Sequence, residues 1–525
     1  MRKLYRTNRT TEERADRERR GRGRRRNGSA VIAALAAFVM AAVSPLHELG
    51  LTIAPAGAGA METGYADIGV LLAADEHAAG KWLVKWREGA DADPSQLPGT
   101  VVISRQPEVL VDVVAPAAGV ERDLWLRRLA AHPDVEYVHA AGRVRLLAAE
   151  DDGAHGQAEA DEAAETDEAA DAGTAMAALP YSATAFAAPE AGPGASFPAG
   201  ANDGTPAATA SATPEAARTE SQAVLREAAR TAAPPMAMAA TDATGKPNDP
   251  HLDRQAYLSL IGADRAWALA PGMSTDLVIA VIDTGIDLDH PDLKDNLVPG
   301  INLINPGQPP DDDNGHGTRV AGVLAAAGNN GIGTAGVLWK AKIMPVKALD
   351  ASGYGDEESL GEAIVKAVDA GAKIVVLSVW LYRYSPYMRD VVQYAENQDV
   401  LLVAASGNDG RQHGSKAAVK YPAAYPTVLA VAGAAADGSP ESRSNTGPEI
   451  DIAAAWEVYT TARGGGYQKE EGTSMAAPQV AAAAALVWSK EPGLKAWQVR
   501  ERLMQTAQDI GAPGRDDQSG AGLLR

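Results

Sequence analysis

Four polar residues stand where the chain turns between apolar segments: Asp283, His316, Asn408 and Ser474. Each has a glycine within two residues, which permits tight turns and close backbone approach. A serine hydroxyl becomes an effective nucleophile when a histidine takes its proton and a carboxylate holds that histidine. An asparagine amide can stabilise the negative charge that develops during the attack. These residue types together suit acyl transfer.

Each of the four also has an ordinary structural interpretation when it is taken alone. Aspartate and asparagine are common turn residues, and a serine at a helix start is often an N-cap. A histidine in an acidic loop is often solvated, and the acidic run at 311–313 is typical of a solvated face. The enzymatic interpretation therefore requires a fold that brings all four residues together.

Short apolar runs predict such a fold. They lie at 277–282, 342–349, 373–379, 400–406 and 428–433. Most are bounded by turn residues, and helical patterns such as 357–370 and 387–397 lie between them. This alternation predicts an α/β domain with a doubly wound, mainly parallel sheet.

The same pattern places the four polar residues at element junctions. Asp283 and Asn408 follow predicted strands, and His316 is expected at a helix N-terminus. Ser474 is expected at the N-terminus of an Ala-rich core helix, predicted over 480–488 with Pro478 in its first turns. Chemistry in such sheets lies beyond the carboxyl ends of the strands, which is where these junctions fall.

Composition excludes several alternatives. The chain has 525 residues, a formal net charge of −20, 46% hydrophobic residues and no cysteine. The negative charge argues against nucleic-acid binding by the chain as a whole. The lack of cysteine rules out disulfides, thiolate metal sites and a cysteine nucleophile.

Residues 1–60 are predicted to be a basic leader. Residues 1–28 carry a net charge of +8, an apolar run follows at 30–46, and small residues dominate 54–60. This order is typical of an export signal, so we expect a secreted protein. The alternative is a retained anchor, which would hold the protein at the outer side of the membrane through the apolar segment.

Three further regions follow the leader. Residues 81–148 combine short strand patterns with one amphipathic helix and predict a small α+β unit. Residues 149–245 are rich in acids, Ala and Pro, a composition that predicts a disordered linker. Residues 248–525 have a globular composition.

The motifs around the four polar residues resemble those of the subtilisin-like serine endopeptidases, the subtilases. The matching segments are Val-Ile-Asp-Thr-Gly-Ile-Asp at 281–287, Gly-His-Gly-Thr at 315–318, Ser-Gly-Asn-Asp-Gly at 406–410 and Gly-Thr-Ser-Met-Ala-Ala-Pro at 472–478. The resemblance covers 248–525. It implies an Asp283–His316–Ser474 triad, with the Asn408 amide and the Ser474 backbone N–H binding the oxyanion.

The resemblance also implies how protein or peptide substrates bind. An extended substrate would lie between two edges, with affinity from main-chain pairing. The two edges contain the following residues: Gly353, Tyr354 and Gly355 on one, and Leu377, Ser378 and Val379 on the other.

Calcium is the structural cofactor that the resemblance implies. The ligands would be Asp249, Asp292, Asn330 and the carbonyl of Ile332, an oxygen set that suits a hard cation. Ordinary turn chemistry explains the same Asn- and Gly-rich segments equally well.

The unit at 81–148 resembles the inhibitory propeptide of the same family. It would occupy the cleft as an intramolecular inhibitor, assist folding and then be removed. The alternative is an unrelated small α/β module.

Three positions depart from the family pattern: Trp380 follows Val379, Arg319 follows Gly-His-Gly-Thr, and Gln479 follows the serine motif. Trp380 would either narrow the primary pocket or face outward. These departures leave open a catalytically impaired subtilase fold used for binding or surface anchoring.

Overall fold

The computed structural model describes residues 80–90, 97–146, 246–269, 273–381, 383–413 and 417–525. The predicted leader at 1–60 and the predicted linker at 149–245 lie outside the described residues. All elements named below belong to the remaining parts of the chain.

Sixteen strands are described. They are β1 (Trp82–Trp86), β2 (Thr100–Gln106), β3 (Val111–Pro116), β4 (Val135–Ala140), β5 (Arg143–Leu146), β6 (Ser274–Asp283), β7 (Ile301–Asn302), β8 (Lys340–Lys347), β9 (Tyr354–Asp356), β10 (Ala372–Leu377), β11 (Val379–Leu381), β12 (Leu401–Ala405), β13 (Leu429–Ala434), β14 (Ile452–Ala455), β15 (Glu457–Ala462) and β16 (Gly466–Glu471).

Nine α-helices are described in the same parts of the chain. They are α1 (Arg122–Ala130), α2 (Ala256–Leu260), α3 (Ala263–Leu269), α4 (His316–Ala325), α5 (Glu357–Asp369), α6 (Pro386–Asn397), α7 (Gly410–His413), α8 (Thr473–Lys490) and α9 (Ala496–Thr506). Short 3-10 helices lie at Pro107–Val109, Leu252–Arg254 and Lys294–Asn296.

The central sheet has seven strands in the order β14-β13-β12-β10-β6-β8-β7, and every neighbouring pair is parallel. Its strands are buried on both faces, with Ile282 in one apolar core and Val281 in the other. Helices α5 and α6 contribute to the first core, and α4, α8 and α9 contribute to the second. The predicted doubly wound α/β fold is confirmed.

The N-terminal unit is a four-stranded antiparallel sheet in the order β2-β3-β1-β4. Helix α1 packs against β4 and buries Trp125, Leu126 and Leu129. Glu121 caps this helix by accepting hydrogen bonds from the backbone N–H groups of Asp123 and Leu124. The strand and helix patterns predicted within 81–148 are present.

A second, smaller sheet joins the N-terminal unit to the α/β domain. Strand β5 lies between β11 and β9 and pairs with both in antiparallel register. The chain thus supplies an extended segment that runs between two edges of its own α/β domain.

One predicted boundary is wrong. The Ala-rich helix begins at Thr473 rather than at 480, so Pro478 lies inside it. Within the described residues, no helix has the length and apolarity needed to cross a membrane. The apolar segment at 30–46 lies outside those residues.

Candidate active site

Asp283 and His316 form a buried pair at the carboxyl end of β6. His316 Nδ1 lies 2.9 Å from both carboxylate oxygens of Asp283, and both side chains are almost fully buried. Because a carboxylate only accepts, Nδ1 carries the proton and Nε2 presents a lone pair. Among the described residues, Nε2 has no hydrogen-bond partner. The pair therefore holds a histidine in the tautomer of a general base.

The start of α4 explains why glycine follows His316. A Cβ on Gly317 would come within 2.0 Å of the Gly285 carbonyl oxygen, so only glycine fits beside the β6 turn. The close approach of these two backbones brings the imidazole against Asp283.

Asp312 corrects the prediction that the acidic run at 311–313 is a solvated face. Asp311 is exposed and Asp313 pairs with Lys347, but Asp312 is almost fully buried. The Asp312 carboxylate accepts hydrogen bonds from Gly315 N at 2.8 Å and Thr318 N at 3.0 Å. It thereby caps the helix that begins with His316.

A threonine connects Asp312 to the catalytic candidates. Thr284 Oγ1 donates to Asp312 Oδ1 at 2.8 Å, the nearer of its two carboxylate neighbours. The Thr284 backbone N–H donates to Asp283 Oδ1 at 2.7 Å. Burial alone would raise the pKa of Asp312, but hydrogen bonds from Thr318, Gly315 and Thr284 outweigh it and lower the pKa below its usual value.

Ser474 is the second residue of α8 and is buried. Pro478 has no N–H, so the Ser474 carbonyl lacks the hydrogen bond that residue i+4 normally donates. Ser378 Oγ donates to this carbonyl instead, at 3.0 Å. The proline thus fastens the start of α8 to the segment that follows β10.

The sheet register brings the two halves of the candidate triad to one edge. Leu377 pairs with Ile282 in parallel register. One residue further along each chain, Ser378 therefore lies beside Asp283. Adjacent strands lie about 4.8 Å apart. Since Ser378 contacts Ser474 and Asp283 contacts His316, the serine and the histidine lie at the same edge of the sheet.

Asn408 follows β12 and is fixed by the residue before Ser474. Its Oδ1 accepts hydrogen bonds from the backbone N–H and the hydroxyl of Thr473, at 3.0 and 2.7 Å. These bonds orient the amide so that its NH₂ group points away from Thr473. Gly472 has φ 131°, and a Cβ there would meet Asn408 Nδ2 at 3.0 Å.

The two predicted substrate-binding edges flank β5. Val144 pairs with Gly355 on β9, and Leu146 pairs with Val379 on β11. The backbone N–H of Leu146 also donates to Gly353 O at 3.0 Å. Tyr354 lies on the same edge as Gly353 and Gly355, while Leu377 and Ser378 continue the edge formed by Val379.

Buried contacts hold the N-terminal unit against this cleft. Glu357, at the start of α5, accepts a hydrogen bond from Gly142 N at 2.7 Å and lies 3.4 Å from His139 Nε2. Lys81 forms ion pairs with Asp356 and Glu358. Acidic residues in the first turn of a helix also interact favourably with its dipole.

The predicted calcium ligands are brought into one cluster of loops. Asp249 accepts hydrogen bonds from the backbone N–H groups of Asn329 and Asn330, and Asp292 accepts one from Asn330 Nδ2 at 2.7 Å. The backbone N–H of Ile332 donates to Asn330 Oδ1 at 2.9 Å.

Both carboxylates of this cluster are unfavourably placed for negative charge. Burial raises the pKa of Asp249 to about 6 and that of Asp292 to about 7, and the Asp249 charge adds to the effect at Asp292. In the described part of the chain, no three His, Cys, Asp or Glu side chains meet as a metal site. A cation here would depend on amide and carbonyl oxygens as well, and its charge would offset the burial.

The departures from the family pattern have structural partners. Arg319 pairs with Glu470 at 2.6 Å, and Gln479 exchanges two hydrogen bonds with the main chain of Ala455. Trp380 is buried and donates a hydrogen bond to β5, which excludes one of the two alternatives for its ring, the outward orientation.

Sequence reasoning missed Asp312, Thr284 and the role of the Ser378 hydroxyl. Asp312 sits three residues before a helix-opening glycine, which is a capping signal that its acidic neighbours obscured. The Pro478-to-Ser474 spacing of four residues could have pointed to a carbonyl that lacks its helical donor, although not to the Ser378 hydroxyl that replaces it.

Comparison with known proteins agrees with this geometry. The model of the subtilase family matches residues 274–522. Thermitase of Thermoactinomyces vulgaris is 37% identical over 271 residues, which cover 51% of this chain and 94% of thermitase.

Two further relatives match the same half of the chain over a smaller share of their own length. The thermostable alkaline protease of Halalkalibacterium halodurans is 42% identical over 236 residues, covering 45% of this chain and 63% of the relative. The minor extracellular protease Epr of Bacillus subtilis is 38% identical over 269 residues, covering 51% of this chain and 40% of Epr.

These matches and the parallel seven-stranded sheet define the class: the chain belongs to the subtilase family. It is a subtilisin-like serine endopeptidase. A catalytically impaired member of the family is not favoured by these findings.

Proposed function

We propose that this chain is the precursor of an exported serine endopeptidase whose triad is Asp283, His316 and Ser474. The observation that carries the proposal is the buried Asp283–His316 pair, whose Nε2 has no partner among the described residues. A desolvated imidazole nitrogen at the edge that also holds Ser474 suits a general base.

The first half of the reaction forms an acyl-enzyme. Ser474 Oγ attacks the carbonyl carbon of the substrate peptide bond while its proton passes to His316 Nε2. The ionised Asp283 stabilises the resulting imidazolium through Nδ1–H. The Asn408 Nδ2–H and the Ser474 backbone N–H bind the oxyanion, and both are held in place before reaction.

The second half of the reaction releases the acyl group. As the C–N bond breaks, His316 Nε2 returns its proton to the leaving amine. Water then attacks the acyl carbon, His316 takes its proton, and the proton finally returns to Ser474 Oγ. Each half therefore begins and ends with a neutral imidazole.

Protein and peptide substrates would bind as β5 does. We propose that residues 81–148 are the inhibitory propeptide and that β5 occupies the substrate position. Its pairing with both cleft edges uses main-chain groups that any extended peptide offers.

The register of β5 suggests where the precursor is cut. Arg145 pairs with Trp380 and Leu146 with Val379, and Ser378, the residue before Val379, contacts Ser474. We therefore expect cleavage between Leu147 and Ala148.

We propose calcium as a structural cofactor, held by Asp249, Asp292, Asn330 and the Ile332 carbonyl. The uncompensated burial of the two carboxylates supports a cation there. Calcium would supply positive charge that ties the N-terminal loop of the α/β domain to the loop that follows residue 328.

We also propose that residues 1–60 direct export, which agrees with the name of the extracellular relative Epr. Fractionation of an expressing culture distinguishes the two forms of this proposal. Activity in the medium supports a cleaved signal, whereas activity that sediments with membranes supports a retained anchor.

Ser474→Ala tests the central proposal. We expect it to abolish both peptidase activity and precursor processing, while Ser489→Ala, at an exposed position of the same helix, changes neither. N-terminal sequencing of the processed wild type should give Ala148. Normal processing of Ser474→Ala would show that another protease makes the cut, and a different N-terminus would contradict the register.

A further inference from the structure

Trp380 makes a side-chain contact to the strand in the cleft. Its indole Nε1 donates a hydrogen bond to the Leu146 carbonyl at 3.1 Å, and the ring is buried. We propose that Trp380 is a substrate-binding residue that donates this hydrogen bond to the main-chain carbonyl of any peptide occupying the place of Leu146. This inference rests on the proposed function, in which β5 occupies the substrate position.

The two main-chain polar groups of Leu146 have different partners. Its N–H donates to the Gly353 carbonyl at 3.0 Å, and its C=O accepts from the Trp380 indole. A buried carbonyl without a partner is costly, so the indole donor stabilises the strand in this position. Because the acceptor is a main-chain group, the contact favours peptides of any sequence.

A charged pair holds the indole in position. Lys420 Nζ lies 4.4 Å from the centre of the Trp380 ring and forms an ion pair with Asp409 Oδ2 at 3.0 Å. Asp409 is itself fixed by two hydrogen bonds with the Asn445 side chain. A cation over an aromatic face is attractive and restricts the ring, so the donor is oriented before a peptide arrives.

The contact should act on binding rather than on the chemical step. The carbonyl of this residue is not the one under attack, so its hydrogen bond is equally strong in the ground and transition states. Such uniform binding lowers KM and leaves kcat unchanged.

Trp380→Phe tests the inference, because it keeps an aromatic ring and removes the N–H. On a peptide anilide we expect KM to rise about fivefold, the size of one neutral hydrogen bond, with kcat unchanged. Trp456→Phe is the matched control. Trp456 is also buried and lies 4.8 Å below the Arg443 guanidinium, but among the described residues its Nε1 has no acceptor. Its KM should equal that of the wild type.

A second substrate separates substrate binding from ring packing. Leucine ethyl ester with a free amino group has no carbonyl at the Leu146 position, so Trp380→Phe and the wild type should hydrolyse it equally well. Equal KM values on the anilide would overturn the inference. An equal loss on both substrates would also overturn it, since the ring would then serve only packing.

A measurement without turnover distinguishes this inference from the proposed function. In the Ser474→Ala precursor, the Trp380 indole N–H should exchange slowly with deuterium, its NMR signal being assigned by its loss in Trp380→Phe. Rapid exchange would overturn the hydrogen bond. Slow exchange together with a folded but inactive wild type would support the contact and reject the proposed enzymatic role.

Discussion

Two places in the α/β domain bury aspartates, and their carboxylates behave in opposite ways. At the start of α4, hydrogen bonds lower the pKa of Asp312 although burial opposes them. In the candidate calcium cluster, burial raises the pKa of Asp249 to about 6 and that of Asp292 to about 7.

The difference lies in the donors and in the neighbouring charge. The oxygens of Asp312 accept hydrogen bonds from two hydroxyl groups and from the backbone at Gly315 and Thr318. Asp249 and Asp292 have fewer donors for their burial, and the Asp249 charge acts on Asp292. Burial alone therefore does not set the pKa of a carboxylate: donors from the chain favour the ionised form at Asp312, whereas at Asp249 and Asp292 burial outweighs the donors.

The largest expected effect concerns Asp283, the carboxylate proposed to orient His316. Asp283→Asn should lower kcat about 10⁴-fold, because an amide can donate to Nδ1 and favour the wrong imidazole tautomer. Steady-state kinetics with a peptide anilide measures the loss, and circular dichroism confirms that the fold is retained. A decrease of only a few fold would show that Asp283 does not set the tautomer.

Removal of the proposed calcium ion should have the next largest effect. Chelation is expected to lower the melting temperature by roughly 5–10 °C, the size that follows if calcium was present at about 100 times its Kd. Differential scanning calorimetry with and without chelator measures the shift. Asp292→Asn should remove this response, and Asp289→Asn, at a nearby exposed aspartate, should keep it. If chelation lowers the melting temperature of Asp292→Asn as much as that of the wild type, the cation binds at another site.

The smallest effect is expected from Asp312→Asn. The amide places N–H groups against donors, so we expect a loss of about 1–3 kcal/mol in the free energy of unfolding at pH 7. Since the folded pKa of Asp312 lies below the usual 3.8, its stabilisation is present above about pH 4 and is lost as the pH falls through the folded value. The difference between wild type and variant should therefore shrink in acid.

Urea unfolding between pH 3 and pH 7 measures this difference. Asp311→Asn changes an exposed neighbour in the same acidic run and should have little effect at any pH. A difference for Asp312→Asn that stays constant down to pH 3 would contradict the assignment of the stabilisation to the ionised carboxylate.

Local patterns predicted the parallel sheet, the helix that begins at His316 and the junction positions of the four polar residues. These features depend on apolar periodicity and on glycines near the reacting groups, both of which are visible in the sequence. Asp312 was not predicted, because its burial is set by Thr284 and Thr318, which lie on either side of it in the chain.

The orientation of Trp380 could not be predicted for a similar reason. Its acceptor is Leu146, which is 234 positions away in the chain. Contacts between residues this far apart in the sequence are determined by tertiary packing, and the periodicity of apolar residues does not predict them. The same is true of the buried pairing between Glu357 and Gly142.

The exchange of a helical hydrogen bond for a side-chain one at the Ser474 carbonyl has a mechanical consequence. The Ser378 hydroxyl donates to this carbonyl, so the predicted substrate-binding edge and the helix that carries Ser474 are held side by side. We expect thermal displacements of this edge and of α8 to be correlated. We therefore expect the Ser474 hydroxyl to keep its orientation toward a bound peptide, although the two sides of the cleft come from distant parts of the sequence.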